Sequence, residues 1–122
     1  MGILYATVKE QLTPAELSSV LEKITSAKGY LKNVPTLWDM RGFDFNSLDR
    51  ELEMRFIEVR KRYPERGETK LAIIVSSDFA YGMFRMYELL SISQDLPQQI
   101  MGFRNYDEGE KWLLETDPSD GK

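Results

Sequence analysis

Three short stretches of the chain collect side chains that bind or move charge. They are Asp39-Met40-Arg41-Gly42, Ser76-Ser77-Asp78 and Phe103-Arg104-Asn105. Together they offer two carboxylates, two guanidiniums and two hydroxyls. Such a set suits an anion or a small polar ligand. Ser76, Ser77 and the free N–H groups that open a following helix would donate to it. Arg41 or Arg104 would balance its charge, with Arg85 as support. A plainer alternative uses the same residues for structure. Ser77 or Asp78 then caps the helix, and Asp39 pairs with Arg41, Arg85 or Arg104. A third reading takes Asp39 and Asp78 as an acid–base or metal pair, although nothing else in the sequence completes a ligand set.

The chain has 122 residues and contains neither cysteine nor histidine. That excludes a disulfide framework, a thiolate nucleophile, a Ser-His-Asp triad and metal sites built on thiolate or imidazole. Acid–base chemistry would fall to Asp, Glu, Lys or Tyr. No cofactor is expected. Twenty acidic against 16 basic side chains leave a net charge of −4, which argues against a nucleic-acid partner. The basic clump Arg60-Lys61-Arg62 ends a predicted helix, where cations complement the dipole, and its alternative reading is a phosphate-binding patch. The longest apolar runs are of the Leu71–Val75 kind, far short of the roughly 20 residues of a membrane span. The N-terminal residues lack the pattern of a signal peptide. A cytoplasmic location is the expectation.

The elements that must position these residues alternate along the chain. Ile3–Val8 reads as a strand. Thr13-Pro14-Ala15-Glu16 is a capping box with proline at the first helical position, opening a helix from Thr13 to Ser26. Thr36–Asp39 is a second strand. Leu48, Leu52, Phe56, Val59 and Tyr63 form one apolar stripe, predicting a helix over Ser47–Tyr63 with Glu51–Arg55 and Glu58–Arg62 pairs on its wet side. Lys70–Val75 is apolar without alternation, as expected of a parallel strand covered on both faces. A third helix should run from Phe79 to Ser91 with Met83, Met86, Tyr87 and Leu90 inward. Gln99–Phe103 is a fourth strand, and Asn105 starts a short last helix. The order is βαβαβαβα, an α/β domain over residues 1–116 with a four-stranded, mostly parallel sheet, followed by a frayed tail at 117–122. If consecutive strands are neighbours, most helices share one face. The other face then needs a helix or a second subunit.

Tyr81-Gly82-Met83-Phe84-Arg85-Met86-Tyr87 is dense in methionine and aromatics. Its surplus apolar surface reads as a packed core layer, a pocket for a lipid-like ligand or a homodimer seam using Phe84, Tyr81 or Trp112. Gly82 inside this helix costs roughly 1 kcal/mol against alanine, so a close packing contact is expected there.

Three longer stretches resemble the SpoIIAA-like branch of the STAS superfamily. They are Leu37–Phe45, Leu71–Val75 running through Ser76-Ser77-Asp78 into Tyr81–Met86, and Met101–Leu113. The resemblance covers nearly the whole chain and implies a small bacterial α/β domain of regulatory or binding character without demonstrated catalysis. Some relatives bind nucleotides or lipids. The superfamily's best-known switch phosphorylates a serine at D-S-[ST]-G-[LI] opening a helix. The matching stretch here is Asn46-Ser47-Leu48-Asp49, so Ser47 is the phosphorylation candidate. The preceding Asp, the second hydroxyl and the Gly are missing, and Ser47 reads more simply as an N-cap. An antiparallel strand that often precedes the first parallel one is not expected. The overall expectation is a non-enzymatic module that contacts a protein partner or small ligand at the carboxyl ends of the strands. The alternatives are a carrier of a hydrophobic ligand and, further off, a carboxylate-dependent enzyme.

Overall fold

The computed structural model describes residues 2–30 and 32–115. The expected tail at 117–122 lies outside them. The elements are β1 (Leu4–Thr7), α1 (Pro14–Ser26), β2 (Thr36–Asp39), α2 (Arg50–Lys61), β3 (Lys70–Ile74), α3 (Asp78–Ser93), β4 (Gln99–Phe103) and α4 (Tyr106–Leu114). Single 3-10 turns at Phe45–Ser47 and Pro64–Arg66 flank α2. The fold is therefore α/β in the order expected, and all three strand pairings are parallel, in the spatial order β1-β2-β3-β4.

Local chemistry sets most boundaries. At α1 the Thr13 hydroxyl accepts from Glu16 N–H at 3.1 Å, and the Glu16 carboxylate accepts from Thr13 N–H at 2.8 Å. This reciprocal capping box satisfies two of the helix's orphan donors. Ser77 caps α3 and Asn105 caps α4, each through its side-chain oxygen. The cap of α2 is Asp49, whose carboxylate accepts from Leu52 N–H at 2.8 Å. The reading of Ser47 as an N-cap is thus corrected. Ser47 sits in the preceding 3-10 turn and donates to the Asp44 carbonyl.

Because each strand pairs with the next in sequence, crossovers of constant hand put α1, α2 and α3 on one face. Trp38, Ile73 and Val75 pack there against Leu17, Leu21, Phe56, Val59 and Phe84. The residues alternate to these, Leu37, Ala72 and Ile74, face the other way and meet Leu113 of α4. The second face is covered by a helix of the same chain. Ala72 and Ile74 are fully buried, as a central strand covered on both sides requires.

The inward face of α3 differs from the expected one. Ala80, Phe84, Tyr87, Glu88 and Ser91 are buried, whereas Met86 is 61% exposed. Met83 and Leu90 pack at the edge of the core. Two stripes of this helix are apolar, and periodicity alone does not choose between them. The sheet chooses: Gly102 of β4 leaves a gap that the Phe84 ring fills, and a Cβ at Gly102 would strike that ring. Phe84 is 3% exposed and unavailable for a dimer seam. The expected contact at Gly82 is also corrected, since nothing lies where its Cβ would point. The exposed apolar side chains of α3 are Phe79, Tyr81, Met86, Leu89 and Ile92.

Candidate functional site

Parallel pairing brings the tips of the strands together, as the sequence reading required. Three backbone bonds extend the ladders beyond the strands: Val8 N–H to the Asp39 carbonyl, Met40 N–H to the Ile74 carbonyl, and Val75 N–H to the Phe103 carbonyl. The loop after β2 presses against the loop after β1, where Asp44 N–H donates to the Glu10 carbonyl at 2.9 Å. Gly42 permits that approach, because a Cβ there would collide with the Lys9 carbonyl.

On this frame Arg41 grips Asp39 with both arms of its fork, Nε to Oδ1 at 2.9 Å and Nη2 to Oδ2 at 2.7 Å. Hydrogen bonding from Arg41 holds the Asp39 carboxyl below its usual range, against a weaker upward push from burial. The same bonds raise the Arg41 guanidinium. Arg41 also lies over the Tyr106 ring, 5.4 Å from its centre. Ser76 donates to the Arg41 carbonyl at 3.2 Å. Arg104 pairs with Asp78, whose side chain is 94% exposed.

Six of the seven candidate residues therefore gather at the strand tips. Arg85 does not join them. It lies about 10 Å along α3 from Asp78 and pairs with Glu88 at 3.0 Å. The hydroxyl of Ser77 is taken by Ala80 N–H. The tips are thus a preorganised surface in which each charged group already has a partner. For acid–base work the arrangement is unfavourable. A general acid near neutrality needs a raised carboxyl pKa, and Asp39 moves the opposite way. Among the described residues no three acidic side chains converge as a metal site.

A second feature lies beneath the three helices. A partly open cavity of about 100 Å³ lies between the sheet and α1, α2 and α3. Its wall is apolar, with Leu17 and Leu21 from α1, Phe56 from α2, Phe84 from α3, and Trp38 and Ile73 from the sheet. It runs from Met40, Phe43 and Phe45 beyond the end of β2 to Gln98 just before β4. Leu71, on one of the two central strands, lines it and is only partly buried.

Two arginines break the apolar lining, Arg60 and Arg66. Arg60 is 8% exposed and Arg66 4%. Arg60 Nη1 donates to Tyr87 Oη at 3.0 Å and Ser91 Oγ at 2.7 Å, and Nη2 to Gln98 Oε1 at 3.2 Å. Arg66 Nη2 donates to Thr36 Oγ1 at 2.5 Å. Sequence reading left Arg66 in a turn and took Arg60 for a helix-end cation, with a phosphate-binding patch as the alternative. A signal was present, because Arg60 stands four residues after Phe56 and so falls on the apolar stripe of α2. No helix of the described residues is long and apolar enough to cross a membrane.

Searches for similar proteins find no family model, no curated protein and no solved structure that matches this chain.

Proposed function

We propose that the chain is a non-enzymatic binding module of the SpoIIAA-like kind. It holds a small apolar or amphiphilic ligand beneath α1, α2 and α3, and it meets a protein partner through the strand tips. The single observation that carries the reading is the cavity. Interiors close-pack to the density of organic crystals, and voids beyond a water's size are few. An apolar gap left open across a fold with well-formed caps and ladders is a place for a ligand. The parallel sheet with four helices is of the class that the SpoIIAA-like resemblance implies, and on that resemblance we read the module as regulatory, bacterial and cytoplasmic.

The two tryptophans make the test specific. Trp38 lines the cavity, whereas Trp112 packs on Phe103 over the opposite face. Titration with 1-octanol, followed by the indole N–H signals, is expected to move Trp38 saturably and leave Trp112 in place. A titration that moves neither indole would remove the cavity as a binding site.

The strand tips contribute the partner-facing side of the proposal. Arg41 and Arg104 are half exposed yet held in fixed pairs, which limits the ordering cost of a contact. Cross-linking in cells should lose the same partner band in Arg41→Ala and Arg104→Ala. Unchanged cross-linking in both variants would take the tips out of the contact.

A further inference from the structure

We infer that the cavity is built for an amphiphile with an anionic oxygen head group, a carboxylate or phosphate ester, seated against Arg60 with Arg66 adding to the same positive wall. This rests on the cavity reading above and specifies its ligand. The argument starts from charge. Arginines are almost never fully buried without an acidic partner, because taking a guanidinium out of water costs several kcal/mol unless an anion offsets it. Arg60 and Arg66 are both more than nine-tenths buried. Among the described residues the ion pairs use Arg41, Arg55, Lys61, Arg85 and Arg104, and neither buried arginine has a carboxylate in reach.

Every oxygen they do contact is neutral. Arg60 bonds two hydroxyls and an amide oxygen. Arg66 bonds the Thr36 hydroxyl, the Val34 carbonyl and, at 3.4 Å, the Tyr30 hydroxyl. Tyrosine rings stand beside both, Tyr87 at 5.8 Å from Arg60 and Tyr30 at 5.9 Å from Arg66. These contacts orient the guanidiniums without cancelling their charge. Arg60 also has donors to spare. A guanidinium carries five N–H groups, Arg60 makes three bonds, and its Nε is buried with no partner.

The buried acids among the described residues, Glu53 and Glu88, do not answer this charge. Glu88 is bound by Arg85. Glu53 makes no ion pair, and its burial favours the neutral acid. Among the described residues nothing supplies the missing anion, and it is assigned to the ligand. The rest of the wall supplies the complementary half, an apolar lining for a hydrocarbon tail. At about 100 Å³ the space is smaller than the roughly 150 Å³ cavity that takes benzene, so it suits a short acyl chain. A longer chain would leave past Ile24 and Leu71, two of the partly exposed residues of the wall.

The experiment compares octanoate, octyl phosphate and 1-octanol on the intact protein. They share a tail and differ in head group. At least one anion is expected to bind about tenfold or more tightly than the alcohol, since hydrogen bonds to charged groups outweigh neutral ones. The tighter anion identifies the head-group class. The Arg60 Nε–H signal should shift with that anion and stay put with octanol. In Arg60→Met the anion's advantage should fall to within about twofold. If that variant does not fold, the Nε–H shift in the wild-type protein decides. Equal affinity for all three ligands, with Trp38 moving and Arg60 Nε–H unmoved, overturns the head-group inference while leaving the cavity reading intact. No binding of any of the three overturns both.

Discussion

Asp39 and Arg41 illustrate how little an ion pair at the surface adds, and how it is measured. The geometry is good, a bidentate fork on a mostly covered carboxylate. The guanidinium is half exposed, so water screens the pair and its contribution is small. Its pH dependence has a fixed sign. The folded carboxyl titrates below its unfolded range because Arg41 bonds it. The pair therefore adds stability above the unfolded value near about 3.9 and loses it as acid protonates Asp39 through the lower folded value. Asp39→Asn is expected to lower the melting temperature at neutral pH and to match the parent once the pH falls below both values. Melting curves across the acid range check this, and a constant offset at every pH would contradict it. Arg60 obeys a different rule. It is buried, so water screens it far less, and its unanswered charge makes it the residue most informative about function.

On the scale of one element, α3 separates what a helix needs from what the fold needs. Its N-terminus depends on Ser77, whose hydroxyl accepts from Ala80 N–H at 3.1 Å. Ser77→Ala should cost about 1 kcal/mol, measured by chemical denaturation. Gly82 works in the other direction. Its missing Cβ points into open space, so the helix bears glycine's flexibility with no packing return. Gly82→Ala is expected to stabilise the protein by roughly 0.5–1 kcal/mol in the same assay. A loss would mean that something outside this chain lies against that face. The choice of inward stripe belongs to neither residue. It was decided by the gap over Gly102 in a different element, which is why the apolar pattern of α3 pointed inward with Met86 and the fold turned Phe84 there instead.

For the whole molecule, the distinctive event is α4 closing the second face of the sheet. Phe103 and Trp112 stack with ring centres 5.6 Å apart. Lys70 Nζ donates to the Trp112 and Glu115 carbonyls at the end of α4, where a cation meets the negative end of the dipole. Tyr5 of β1 donates to Glu110 at 2.5 Å, joining the two ends of the described chain. That hydrogen bond, ahead of burial and repulsion, pushes the Tyr5 phenol up to about 12. A folded pKa above the unfolded one means that the bond's contribution is complete below about 10 and is lost as the pH rises through the folded value. Ultraviolet titration should show late ionisation assignable to Tyr5, and Glu110→Gln should bring that ionisation to lower pH. A titration unchanged by that substitution would separate the two residues in solution.

The sequence by itself determined the elements and their order. Thr13 and Glu16, Pro14, the unalternating run Leu71–Val75 and the cap at Asn105 act through neighbours a few residues away, so their meaning is written locally. From that order followed the parallel sheet and the meeting of Asp39, Arg41, Ser76, Asp78 and Arg104 at the tips. The tertiary structure alone decided which partners those side chains take, with Arg85 turned to Glu88 and Asp49 displacing Ser47 as the cap of α2. It alone decided the fate of the basic run, burying Arg60 beside Tyr87, Ser91 and Gln98, residues 27 to 38 positions away. A void and an unpaired charge are properties of what is absent around a group, and local sequence carries no record of what fails to arrive.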